Sequence, residues 1–247
     1  IVTVEAENGT VTVRCGRPAF NLVGMSAEDY PDLPSVEAEN GVSLPQDLLK
    51  KMINECSFAV STNESRPVYM GTLFEIAHNE LTMVSVDGYR LALRREPVEG
   101  YGDDCSFIVP GTALSDLERL CGDSDERVVL SVGSKHISFT VGSTVILSRR
   151  LEGDFLNYKK AIPESFRITV KTARTDLLDV VERVSLIVDS KNNAPLRLTF
   201  RKDAIDFVCT TPLGKAADSC PCEGDGGDLE IGFNDHYLSD ALKAAPA

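Results

Sequence analysis

VVLSVGSKHISFTVGSTVILSRRLEGDFLNYKKAIP (128–163) and IVTVEAENGTVTVRCGRPAFNLVGMSAEDYPDLP (1–34) read in the same order: strand, turn, strand, strand, then an acidic-aromatic loop. Phe20 and Leu22 answer Val145 and Leu147, and Asp29-Tyr30 answer Asp154-Phe155, each 125 positions apart (145 − 20, 154 − 29). The correspondence continues outward from this stretch. LPQDLLKKMINECSFAVS (44–61) resembles TARTDLLDVVERVSLIVDS (172–190), with Leu48-Leu49 answering Leu177-Leu178. GTLFEIAHNELTMVSVDG (71–88) resembles PLRLTFRKDAIDFVCTTPLG (195–214), with Ile76 answering Phe200. FIVPGTALSDLERL (107–120) resembles EIGFNDHYLSDALKAA (230–245), with Leu114-Ser115-Asp116 answering Leu238-Ser239-Asp240. Several pairs in one order at nearly one shift define a repeat, and its period is the length of a whole domain, far beyond a solenoid unit.

The repeat divides the chain into the tail of copy one (1–40), all of copy two (41–164) and most of copy three (165–247). Each copy reads helix, hairpin, strand, helix, then strands, which is an α+β class with segregated helices and mostly antiparallel sheets. Four helices follow from apolar residues at helical spacing. The first carries Leu48, Leu49, Met52, Ile53, Cys56 and Val60, and the second Leu114, Leu117, Leu120 and Cys121. The third carries Leu177, Leu178, Val181 and Val184, and the fourth Leu238, Ala241 and Leu242. Lys50, Lys51, Arg119, Arg174, Arg183 and Lys243 fall off these stripes, so basic charge is expected on the outer helix faces and acid mainly in loops such as EAEN, DSDE and CEGDGGD. In MVSVDGYRLALRR (83–95), Asp87-Gly88 between two hydrophobic runs predicts a tight hairpin turn whose exit places Tyr89, Arg90 and Leu91 at the wall of a pocket.

The 247 residues carry a net charge of −13, which argues against a uniformly basic nucleic-acid binder while leaving room for one local basic face. No apolar run approaches the roughly 18–20 residues of a membrane span. Seven cysteines are scattered without C-x-x-C pairs, the pattern of reduced thiols in a cytosolic protein rather than of a metal site. The three histidines, 78, 136 and 236, lie far apart, and no G-x-S-x-G, H-E-x-x-H, phosphate-binding or dinucleotide-binding motif occurs. The alternative from another class is a small-molecule hydrolase on an α+β scaffold with a nucleophile such as Cys56 or Cys209, or a carboxylate. The chain begins inside an alternating run and stops at KAAPA, which reads as an interior piece of a longer protein.

Four segments carry a family resemblance. SVDGYRLALRR (85–95), ESRPVYMGTLFE (64–75), LEGDFLNYKKAIP (151–163) and AEDYPDLP (27–34) resemble segments of the bacterial DNA polymerase III beta subunit family, the replicative sliding clamps, and the match runs in register over the whole chain. The resemblance implies a non-catalytic, cytoplasmic subunit without cofactor or metal. It implies three clamp domains per chain and two chains forming a ring around duplex DNA, with helices inside and sheets at the rim. It implies a partner-motif pocket at Tyr69, Val86, Gly88, Tyr89, Arg90, Leu91, Leu156, Lys160 and Ala161. This pocket would capture the polymerase III catalytic subunit, the clamp loader and other clamp-motif proteins. The same resemblance implies DNA-facing positions at Lys50, Lys51, Asn63, Arg119, Arg174, Arg183 and Lys243. Homodimer contacts of the full-length protein would fall at Arg17, Phe20, Leu186 and Ile187, and the piece alone is expected not to close a ring. Leu156 stands where the family usually has Pro, Tyr89 where it has His, and Gly111 and Thr112 where it often has basic residues.

Overall fold

The structure, a computed structural model, describes residues 1–26, 28, 30, 32, 34, 36, 40–101, 103–188, 194–224 and 226–246. It divides into two compact units, Ile1–Ser35 and Val36–Ala247. The acidic-aromatic loop at 27–34, with Asp29, the EAEN loop and Asp225 of the CEGDGGD loop lie wholly or partly outside the described residues.

The first unit is an antiparallel meander of β1 (Val2–Glu7), β2 (Thr10–Cys15) and β3 (Ala19–Val23). Asn8 and Gly9 connect β1 to β2 with φ of 48° and 77°, the left-handed pair that a two-residue hairpin needs to follow the twist of its strands.

The second unit begins with β4 (Asn40–Pro45), α1 (Gln46–Ser57), β5 (Gly71–Ala77), β6 (Glu80–Val86), β7 (Leu91–Pro97), β8 (Glu99–Tyr101), β9 (Cys105–Pro110) and α2 (Gly111–Leu120). It continues through β10 (Arg127–Val132), β11 (His136–Val141) and β12 (Thr144–Arg149). Then come β13 (Val170–Lys171), α3 (Arg174–Ser185), β14 (Leu196–Phe200), β15 (Ala204–Thr211), β16 (Gly214–Pro221), β17 (Glu223–Gly224), β18 (Leu229–Phe233) and α4 (Asp235–Ala244). The sheets run β12-β11-β10-β4-β8, β7-β6-β5-β9, β16-β15-β14-β18 and β13-β17, and every ladder among the described residues is antiparallel. The repeat is therefore topological as well as sequential. The order β16-β15-β14-β18 copies β7-β6-β5-β9, α3 starts 128 positions after α1 (174 − 46), and α4 starts 124 after α2 (235 − 111). The meander β1-β2-β3 likewise copies β10-β11-β12.

Two cores hold the second unit. In the first, Leu49, Met52, Ile53 and Cys56 of α1 and Leu114 and Leu117 of α2 pack on both central sheets, against Val42, Leu44, Phe74, Met83, Leu130 and Phe139. Phe74 anchors it, stacked on Phe107 at 5.5 Å and edge-on to Phe139 at 6.5 Å. Each such side chain contributes about 1.5–3 kcal/mol on burial. The second core joins Val180, Val181 and Val184 of α3 to Leu196, Leu198, Ile205, Phe207 and Cys209. The buried stripe of α3 thus includes Val180, while Leu178 is only half-buried. Residues 177, 180, 181 and 184 complete the i, i+3, i+4, i+7 stripe, and 178 sits at its margin. Val60 and Cys121 lie beyond the ends of α1 and α2.

Candidate functional site

The hairpin that the sequence reading singled out is wider than predicted. Val86 pairs with Leu91, so the connection is the four-residue loop 87–90, and Tyr89 and Arg90 belong to the loop rather than to its exit strand. Asp87 builds it. Its Oδ1 accepts from the backbone N–H of Tyr89 at 2.9 Å and of Arg90 at 3.1 Å. An Asx carboxylate that satisfies two amides removes the need for a two-residue turn.

Arg90 leaves this loop towards α4. Its Nε donates to Asp87 Oδ2 at 2.9 Å and its Nη1 to Asp240 Oδ2 at 2.7 Å. The guanidinium also lies 4.5 Å from the Tyr237 ring centroid and 5.3 Å from that of Phe58. Tyr89, 83% exposed, sits 5.8 Å from Tyr237. A planar fork between two carboxylates and two rings is a fixed group. Phe58, Tyr237 and Asp240 were not singled out from the sequence as part of this site. Asp87 was read as a turn residue, and its carboxylate adds the partner for Arg90.

A second apolar cluster lies on the face of β5-β6-β7-β9 away from the main core. Leu73, Val84, Ile108 and Tyr158 are buried there, with Val68, Leu91, Leu93, Leu151 and Phe155 packed around them. This explains why β6 is buried continuously from Leu81 to Val86 instead of alternating. The loop 151–157 and the 3₁₀ turn Tyr158–Lys160 cover the cluster. Tyr69 meets Phe155 edge-on at 5.5 Å. The Tyr158 hydroxyl donates to Glu75 Oε2, and burial, reinforced by that carboxylate, pushes the phenol up to about 12. Gly153 has φ +126°, and a Cβ there would stand 2.7 Å from Val68 Cγ2.

The nine pocket positions therefore fall in two groups. Tyr69, Val86 and Leu91 lie in or beside the Tyr158 cluster, with Leu156, Lys160 and Ala161 exposed on the loop above it. Tyr89 and Arg90 meet α4, and Gly88 lies beside them in the loop with φ 98°. Leu156, 40% exposed, also lines a cavity of about 590 Å³ with Phe155, Tyr158, Lys159 and Arg150.

The helices form one continuous row: α2 packs on α1, α1 touches α4, and α4 packs on α3. Lys50, Lys51 and Lys243 line a groove of about 650 Å³ between α1 and α4. Arg119, Arg174 and Arg183 lie outside that groove, and Asn63 is exposed in the loop after α1. Most of the 38 carboxylates, 29 (38 − 9), lie outside the four helices, yet the helices themselves are not net basic. The four helices hold these six cations and nine carboxylates, a net charge of −3. Five of the cations are paired: Lys50 with Asp123 at 2.7 Å, Lys51 with Glu55 at 4.0 Å, Arg119 with Asp116 at 3.6 Å, Arg183 with Asp218 at 2.8 Å and Lys243 with Glu182 at 3.0 Å. Arg174 donates to the carbonyl of Leu242 at 3.2 Å.

Arg17 and Phe20 are exposed on the first unit, Phe20 by 60%. Leu186 is 83% exposed at the end of α3, whereas Ile187 packs against the second core. The hydrolase alternative finds no support. Cys56 and Cys209 are fully buried, and burial pushes the Cys56 thiol up to about 12, so neither offers an accessible thiolate. Among the described residues no group of three His, Cys, Asp or Glu side chains is placed to hold a metal, and no helix is long and apolar enough to cross a membrane.

Comparison with known proteins places this architecture. The family profile for the DNA polymerase III beta subunit, central domain, matches residues 43–157, and that for its C-terminal domain matches residues 159–246. The beta sliding clamp of Staphylococcus epidermidis is 33% identical over 94% of this chain, and the chain spans 62% of that relative's length. A putative DNA polymerase III beta subunit from Eubacterium rectale superposes with a TM-score of 0.93 at 28% identity, covering 100% of this chain and 67% of that one. The DNA polymerase sliding clamp of Bacillus subtilis gives 0.91 at 28%, covering 100% and 66%. With two adjoining domain profiles in the order of the structural repeat and the fold shared along its whole length, the chain belongs to the DNA polymerase III beta subunit family.

Proposed function

We propose that this chain works as part of a sliding clamp, a non-catalytic ring that encircles duplex DNA and tethers replication and repair proteins to it. The observation that carries the reading is the row α2–α1–α4–α3, built by a repeated domain whose sheets lie behind it. A sheet-backed row of helices suits a surface that meets the phosphate backbone without reading bases, and sequence-independent contact is what sliding requires. The segments 1–40, 41–164 and 165–247 serve as the end of one clamp domain, a second domain and most of a third. Arg17 and Phe20 supply one side of a head-to-tail contact between two full-length chains, and Leu186 and Ile187 the other. The protein acts in the cytoplasm, where the replicated DNA is.

Partners dock at the hairpin loop and the loop above Tyr158. An apolar anchor of a short linear motif sits on Leu91, Tyr69 and Leu156, with Val86 beneath and Gly88, Tyr89, Lys160 and Ala161 at the rim. The polymerase III catalytic subunit and the clamp loader are the partners of this site. Retention of the full-length protein on circular and linear DNA tests the clamp reading. Long-lived, salt-resistant retention on circles with rapid loss from linear ends is expected. Equal loss from both forms overturns it.

A further inference from the structure

We propose that Asp123, Glu182 and Asp218 are built-in competitors of DNA phosphate, which hold the cations of the helix row and loosen its grip on the duplex. The inference rests on the clamp reading and adds to it the residues that set how weakly the DNA is held.

The three pairs differ from ordinary neighbours on a helix. Lys51–Glu55 and Arg119–Asp116 follow i,i+4 and i,i+3 spacing and are long, at 4.0 and 3.6 Å. By contrast Lys50, Arg183 and Lys243 each take a carboxylate from a different element, at 2.7, 2.8 and 3.0 Å. Asp123 stands in the loop after α2, Asp218 on β16 and Glu182 on α3. Tertiary packing, not local spacing, brings them to the cations. The Arg183 guanidinium holds Asp218 below the usual carboxylate range, so this competitor stays ionised at neutral pH. The net −3 of the four helices leaves no surplus of positive charge to offset the pairs.

A phosphate that reaches this face must therefore exchange with a carboxylate already in place. Each pair has at least one member more than half exposed, so solvent screening leaves little energy in it and it is cheap to open. The displaced carboxylate then remains beside the phosphate and repels it within a Debye length. Each contact forms and breaks readily, and little counterion is released on forming it. This gives a surface on which DNA moves without lodging.

The test measures binding of a fluorescent random-sequence duplex to the full-length protein over a salt series. Three variants are compared with wild type. Asp123→Asn/Glu182→Gln/Asp218→Asn removes the competitors. Glu99→Gln/Asp228→Asn/Glu230→Gln makes the same charge change away from the helix row. Lys50→Ala/Arg183→Ala/Lys243→Ala removes the cations. The first is expected to bind roughly tenfold more tightly, with a log–log salt slope steeper by up to about 0.9 for each freed cation, and the second within about twofold of wild type. If the first does no better than the second, the inference is overturned. If the cation variant binds as wild type does, DNA is not held on this face and the clamp reading of the helix row fails instead. Asp123 is 87% exposed, so Asp123→Asn alone keeps the test decisive if the triple variant does not fold; it should bind about twofold to threefold more tightly, and no gain overturns the inference.

Discussion

Arg90 connects the hairpin loop to α4 by one side chain, and its cost of removal can be estimated from what it would leave behind. Its side chain is 19% exposed and that of Asp87 is 12% exposed. Arg90→Ala leaves Asp87 Oδ2 without its guanidinium partner and uncovers two rings, so it should lower stability by about 1–3 kcal/mol in a urea titration. Arg90→Lys should not restore it, because an ammonium cannot bridge two carboxylates in a plane. Tyr158 gives a pH prediction. Its phenol holds the proton more tightly folded (about 12) than at its ordinary value of about 10. Its contribution is thus complete below pH 10 and is lost as pH rises to 12, on the order of 1–3 kcal/mol. Tyr158→Phe should flatten that part of the alkaline stability curve relative to wild type. Leu91 faces the same cluster, and Leu91→Ala should weaken a bound linear-motif peptide by about 1–3 kcal/mol in a fluorescence titration. Equal affinities would remove Leu91 from the docking site.

At the scale of elements, helix entry and loop geometry position the site. α1 and α2 follow Pro45 and Pro110 directly from β4 and β9, and α3 follows Ala173; none has a side-chain cap. α4 has one, Asn234, whose side chain accepts from the N–H of Tyr237 at 3.1 Å. That cap orients the turn carrying Tyr237 and Asp240 towards Arg90. Asn234→Ala should cost about 1 kcal/mol by thermal denaturation, and Asn234→Asp much less. The loop over Tyr158 depends on Gly153. A side chain there meets both a left-handed backbone and Val68, so Gly153→Ala should destabilise by about 1–3 kcal/mol and loosen the Tyr69–Phe155 contact.

For the whole molecule, the repeat lets one structural solution serve twice, and function separates the copies at their surfaces. Leu186 projects into solvent while its neighbour Ile187 packs inward. If the full-length protein closes a ring through this end of α3, Leu186→Glu should shift it from dimer to monomer in sedimentation with stability changed by only about 0.5 kcal/mol. Ile187→Glu should also lower the melting temperature, because it buries a charge in the core. A Leu186→Glu protein that stays dimeric would place the contact elsewhere.

The sequence by itself determined the repeat, the α+β class, the four helices and their main buried faces. These are written in local periodicity and in self-similarity at a fixed shift, and neither needs long-range information. The hairpin turn at Asp87-Gly88 was legible for the same reason, but not its widening to the four-residue loop 87–90, which depends on the Asp87 side chain accepting two backbone amides. Tertiary structure alone decided where the charges go. Lys50 and Asp123 are 73 residues apart, and Arg90 and Asp240 are 150 apart. Helical spacing showed which side chains leave the apolar stripe, but not which carboxylate from another element would meet them. It likewise could not show that β6 is covered on both faces, because the loop 151–158 that covers it arrives from the far end of the domain. Burial pattern and turn chemistry are properties of neighbours in sequence. Charge pairing and double-sided burial are properties of neighbours in space, and only the folded chain brings those together.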